Sequence, residues 1–198
     1  MTAILTGDII NSRSVEPQEW LPVLEKSLAL LAADRSVWEV FRGDSFQLEV
    51  SVDQALKAAL YLKAALKQIK GLDVRISIGV GEKNYTDKKI SQSNGSAFIH
   101  SGEAFDRLKH KTLSFQSDDS SWNEIINLFL DLISTIVNAW TPVSIYLIQK
   151  MFDNPDFTQL QLAELTKMNQ GNISRALKRG GYDEIQKVLQ YYVKNNPL

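Results

Sequence analysis

Polar and apolar positions change rhythm several times along this chain. "AILTGDII" (Ala3 to Ile10) is an apolar run broken only around Thr6-Gly7-Asp8 and reads as a buried strand. Glu16-Pro17 opens a segment in which Trp20, Val23, Leu24, Leu28 and Leu31 keep helical spacing as far as Ala33. Val37 to Phe41 and Ser45 to Ser51 are β-rich runs flanking Arg42-Gly43-Asp44, the pattern of a hairpin with Asp44 near its tip. "VDQALKAALYLKAALKQIKG" is an Ala/Leu/Lys helix ended by Gly71, and "LDVRISIGVG" alternates Val74, Ile76 and Ile78 as a strand does. A polar stretch without a clear period follows Gly81. It leads to a helical segment around "SAFIHSGEAFDRLKH", and "TLSFQS" supplies a last strand.

Strand, helix, hairpin, helix, strand, helix, strand is an order that lays helices on a mixed sheet, as in ferredoxin-like α+β domains. "SDDSS" (Ser117 to Ser121) separates it from a region with helical periodicity only, so an α+β domain is expected over 1–118 and an all-α domain over 119–198. Ile125, Leu128, Phe129, Leu132, Ile133, Ile136 and Val137 are expected to form one helical stripe, serving as core or as a dimer interface. A second helix follows Trp140-Thr141-Pro142 and runs to about Met151.

"TQLQLAELTKMNQGNISRALKR" (Thr158 to Arg179) has the pattern of a helix-turn-helix unit at about 158–180. Leu162, Ala163 and Thr166 suit the inner face of its first helix, and Ile173 with Ala176 or Leu177 that of its second. Asn169, Gln170, Asn172, Ser174, Arg175 and Lys178 then face outward, an amide- and arginine-rich set suited to base edges and phosphates. "GGYDEIQKVLQYYVKN" reads as a closing helix.

Net charge sharpens this reading. At -1 over 198 residues the chain carries no basic coat, so contact with nucleic acid needs a local patch. From Phe157 onward Lys167, Arg175, Lys178, Arg179, Lys187 and Lys194 outnumber Glu164, Asp183 and Glu184, and duplex DNA is the expected partner. Without cysteine there is no disulfide and no thiolate site. No charged leader precedes a long apolar run, and "IINLFLDLISTIVNAW" is too short and polar to span a bilayer, so a cytoplasmic protein without membrane insertion is expected. His100 and His110 stand ten residues apart in one helical stretch, wrong for a shared metal, and are expected to be structural or surface residues.

Two Gly-Asp dipeptides carry the remaining chemistry. A carboxylate at a strand end is costly to bury alone, so Asp8 and Asp44, brought together, call for a shared cation. Mg²⁺ (or Mn²⁺) suits them, with the carbonyl of Ile9 as a third ligand. Asn11, Ser12 and Arg13, with Gly43 of the hairpin, are the expected phosphate or nucleotide contacts. A pair of ordinary turns is the alternative.

"TGDIINSR", "FRGDSFQLEV", "RISIGVG" and "SGEAFDRLK" resemble, in order and approximate spacing, the palm domain of class III nucleotidyl cyclases and GGDEF diguanylate cyclases. The resemblance implies that Asp8 and Asp44 are metal-holding aspartates and that Arg107 contacts phosphate. More closely, the whole chain resembles the SatD family of bacterial proteins, a cyclase-like first half followed by a helical tail. It departs from the catalytic pattern at three places: Ser45 where GGDEF proteins have an acid, Val40 where class III enzymes have a lysine, and Glu103 where they have an asparagine. A negative charge at that last position opposes the charge developing on phosphate. The helix-turn-helix pattern and its local charge, taken with the resemblance and its departures, lead to the expectation of a homodimeric DNA-binding transcriptional regulator with a catalytically degenerate, nucleotide- or metal-sensing domain. An active metal-dependent purine nucleotidyl cyclase or related phosphoryl-transfer enzyme, and a protein-interaction adaptor, are the alternatives.

Overall fold

A near-continuous apolar run has to be covered on both faces, and β1 (Thr2–Ile10) lies at the centre of a five-stranded sheet of order β2-β3-β1-β4-β5. A computed structural model describes residues 1–197. β1 is followed by α1 (Pro17–Leu31), the hairpin β2 (Trp38–Phe41) and β3 (Ser45–Val50), α2 (Ala55–Lys67), β4 (Asp73–Gly81), α3 (Ser96–Asp106) and β5 (Leu113–Gln116). β1 pairs antiparallel with β3 and β4, and β5 joins β4 in parallel, so the sheet is mixed and the chain is α+β.

Alternation along β1 sorts its side chains between the two layers. Ala3, Leu5 and Ile9 join the main core with Trp20, Leu24 and Leu28 of α1 and the Ala/Leu face of α2. Ile4 packs instead with Ile90 and Ala97 beneath α3. Two glycines permit the close approaches. A methyl group on Gly7 would collide with the Phe46 ring, and one on Gly79 with the backbone of Ala97 and Ser101 where α3 crosses β4. Lys63 of α2 is wholly buried, its ammonium 2.8 Å from Asp73 Oδ1 and 3.0 Å from the carbonyl oxygen of Val74. Burial pulls this ammonium below its ordinary pKa against the opposing pull of Asp73.

The switch to helices falls at Ser117–Asp119, where Asp119 caps α4 (Ser120–Asn138) by accepting from the Trp122 N–H at 2.8 Å. α5 (Pro142–Asp153), α6 (Gln159–Thr166), α7 (Gln170–Arg179) and α8 (Tyr182–Asn195) complete the described chain. The expected single stripe on α4 needs correction. Trp122, Ile126, Leu130, Ile133 and Val137 form the buried row, whereas Ile125, Leu128 and Leu132 are exposed. α4 is apolar over more than one face, and the aromatic cluster decides which row turns inward: Trp122 stacks on Tyr192, whose ring edge meets Phe115 of β5.

One core runs through both halves. Tyr192 donates to the carbonyl of Val52 at 2.9 Å, and Tyr61 of α2 donates to Asp153 of α5 at 2.9 Å. Among the described residues no helix is long and apolar enough to cross a membrane.

Candidate functional site

The C-terminal end of β1 and the β2–β3 hairpin lie side by side, with Asp8 opposite Ser45 and the Ile9 N–H donating to the carbonyl of Asp44 at 3.1 Å. The hairpin reaches this position through consecutive left-handed residues, Arg42 at φ 53° and Gly43 at φ 93°, the second of which suits glycine. Asp8 is also paired across β4 with Arg75. Paired residues share a sheet face, so the carboxylate and the guanidinium meet: Arg75 Nε donates to Asp8 Oδ1 at 2.8 Å and Nη2 donates to Oδ2, a two-point grip. The Phe105 ring of α3 lies 5.5 Å from the guanidinium carbon. The hydrogen bonds to Asp8 hold the Arg75 guanidinium above its ordinary pKa, and the charge of Asp44 adds to them.

Asp44 is engaged separately, its Oδ2 accepting from the Ser12 hydroxyl at 2.5 Å. Each of the two expected metal-holding carboxylates thus already has a partner within the chain. Both oxygens of Asp8 face Arg75; Ile9, whose carbonyl was the expected third ligand, donates its backbone N–H to the hairpin and buries its side chain in the core. Beside Asp8 opens a cleft of 570 Å³ lined by Thr6, Phe41, Arg42, Gln47 and Phe105, with Asp106 among its polar groups. Thr6 is positioned by hydrogen bonds from Ser101 at 2.6 Å and Gln47 at 3.3 Å.

The expected phosphate contacts divide. Ser12 and Gly43 belong to this corner. Asn11, left-handed at φ 62°, uses its side-chain amide to tie the end of β1 to the carbonyl of Gly71 at 3.0 Å, while Arg13 is exposed beyond it. Arg107 is not brought to the site. Its side chain turns back along α3 to the Glu103 carbonyl at 3.0 Å and to Gln116 of β5 at 3.2 Å, on the far edge of the sheet from the hairpin. Glu103 holds Arg107 there at 3.3 Å. His100 is structural, its Nδ1 2.7 Å from the carbonyl oxygen of Val80, and His110 is exposed.

At the other end of the chain α6 starts with a capping box: Thr158 accepts from the Gln161 N–H at 3.3 Å, and Gln161 accepts from the Thr158 N–H at 2.8 Å. Lys167, left-handed at φ 56°, ends α6, and Asn169 caps α7 by accepting from the Gly171 N–H at 2.9 Å. Leu162, Ile173, Ala176 and Leu177 are buried between the helices. The rear of α7 is locked to α5, where Ser144 donates to the Ala176 carbonyl at 3.0 Å, and its C-cap Gly180 accepts at 2.8 Å from the indole of Trp140, between α4 and α5. Asn169, Gln170, Asn172, Ser174, Arg175 and Lys178 are all exposed, and Arg175 Nη2 donates to Asn172 Oδ1 at 2.6 Å.

Arg75 is the residue that sequence reasoning missed. It stood inside "RISIGVG" as the one long charged side chain on an apolar strand, in the same alternation phase as Ser77. That phase was legible, but its partner was not, because pairing Arg75 with Asp8 requires β4 to lie next to β1 in this register. Phe41, Gln47 and Phe105 were likewise read only as parts of motifs. No protein-family model matches the chain, and a search of curated proteins finds no match either.

Proposed function

We propose that this protein is a DNA-binding transcriptional regulator of the SatD type, in which α6 and α7 act as a helix-turn-helix and the sheet half binds a small ligand. The observation that carries the reading is the division of α7: one face is buried and hydrogen-bonded to α5, and the opposite face presents Asn169, Gln170, Asn172, Ser174, Arg175 and Lys178 to solvent. Side-chain amides and arginine match the donor and acceptor pattern of base edges, while Lys178 matches phosphate. The strand order β2-β3-β1-β4, with α1 and α2 on one face, supports a ferredoxin-like, cyclase-like first half. Cyclisation finds no support at Val40, Ser45 or Glu103, and the sheet cleft is assigned to ligand binding without turnover.

Two-fold DNA sites are met by two copies of a protein, and the exposed row Ile125, Leu128 and Leu132 is the surface we assign to self-association. The test is selection from random duplexes with the full chain, followed by titrations of an enriched site at two salt concentrations. Enrichment of one sequence, with affinity falling as salt rises, is expected. A chain that enriches nothing and binds without salt dependence overturns the DNA reading and leaves the adaptor in its place.

A further inference from the structure

We infer that Arg75 is the resident cation of the sheet site: its guanidinium occupies Asp8 where a divalent ion would bind, so the neighbouring cleft takes its ligand without a metal. Two strand-end carboxylates on one sheet corner repel unless a positive charge stands with them. Arg75 supplies that charge by a two-point grip on Asp8, whose strand neighbour on β3, Ser45, directly follows Asp44. The fork matches a carboxylate as a point ion does not, and arginine keeps its charge throughout the working pH range. Phe105 covers one side of it.

A divalent ion and the guanidinium compete for the same two Asp8 oxygens. A metal at Asp8 would have to share both carboxylate oxygens with the guanidinium or displace it from them, with like charges facing each other in either case. The 570 Å³ cleft is therefore suited to a ligand carried as the free organic molecule, with Phe41 and Phe105 in its lining, Gln47 and Thr6 for hydrogen bonds, and Arg42 and Asp106 as charged groups of opposite sign. This deepens the ligand-binding part of the function proposed above and rests on that part, not on DNA binding.

The experiment is a Mn²⁺ titration of the full chain, reading free Mn²⁺ by electron paramagnetic resonance, with Mg²⁺ as competitor. It compares wild type, Arg75→Met, and Arg75→Met combined with Asp44→Asn, each checked for folding by circular dichroism. Arg75→Gln, whose amide still donates to Asp8, replaces Arg75→Met if the latter does not fold. Wild type is expected to bind Mn²⁺ only weakly, with an affinity that Asp8→Asn leaves unchanged. Removing Arg75 should tighten Mn²⁺ affinity roughly tenfold or more, and Asp44→Asn should cancel the gain. Wild-type binding that Asp8→Asn abolishes overturns the inference, as does failure of the Arg75 variants to gain binding. Either result leaves the DNA reading untouched, because selection from random duplexes tests that separately.

Discussion

Around the sheet, charged side chains are matched within the fold: Arg75 holds Asp8, Lys63 and Lys67 hold Asp73, and Lys83 holds Glu49 at 2.5 Å. On α7 the comparable side chains point away from the core. Lys178 is exposed, and Arg175 reaches Asn172 on its own helix. The difference has an energetic origin. A charge near the sheet is partly desolvated and must find an opposite charge in the same chain, whereas a charge on α7 remains hydrated and can exchange water for a partner's phosphate or base. Counting charges along the sequence does not separate these cases. Their burial does.

The sharpest way to break the comparison is Asp73→Asn, which leaves the wholly buried Lys63 ammonium without a carboxylate. Urea unfolding should show a loss of about 3 to 5 kcal/mol, and combining it with Lys63→Met should recover most of that loss. Equal stability of wild type and Asp73→Asn would show that the sheet's charges are no more committed than those of α7. The pH dependence has a defined sign. Burial raises the Asp73 carboxyl, but Lys63 and then Lys67 hold it below its ordinary value of 3.8. Its stabilising contribution is thus fully present above pH 3.8 and is lost as the pH falls through the lower folded value, a loss absent from the double variant.

Arg175→Ala is the counterpart on α7. Stability should change by less than about 0.5 kcal/mol, because the side chain is exposed. Affinity for a selected duplex should fall by roughly 1 to 3 kcal/mol, with relaxed discrimination at one base pair. A large stability loss would place Arg175 in the internally matched class. Thr158→Ala removes the capping box of α6 and should cost about 1 kcal/mol in thermal unfolding, weakening DNA binding only through the support of α7. The smallest effect is expected for Lys178→Ala: uniformly weaker binding across duplex sequences and a salt slope reduced by about 1.

Local signals made the element order legible. Gly43 and Gly71 sit at the positive-φ positions their turns require, Pro17 and Pro142 start helices, and the runs through Ile10, Phe41, Val50 and Gly81 became strands. These follow from preferences spanning a few residues, so the chain's own sequence determines them. The same holds for the outward face of α7, since a helix with Ile173, Ala176 and Leu177 buried leaves Ser174, Arg175 and Lys178 outside.

Only the tertiary structure decided which apolar row of α4 turns inward, because two rows compete and the Trp122, Tyr192 and Phe115 cluster selects one. It also separated Arg107 from the aspartates and brought Arg75 to them. Aligning motifs along the chain ranks Arg107 first, but the sheet puts β4 next to β1 and sends the Arg107 side chain towards β5. The meeting of Asp8 with a cation was implicit in the cost of burying a carboxylate. That the cation is Arg75 depends on a strand register between residues 67 positions apart, which no local preference encodes.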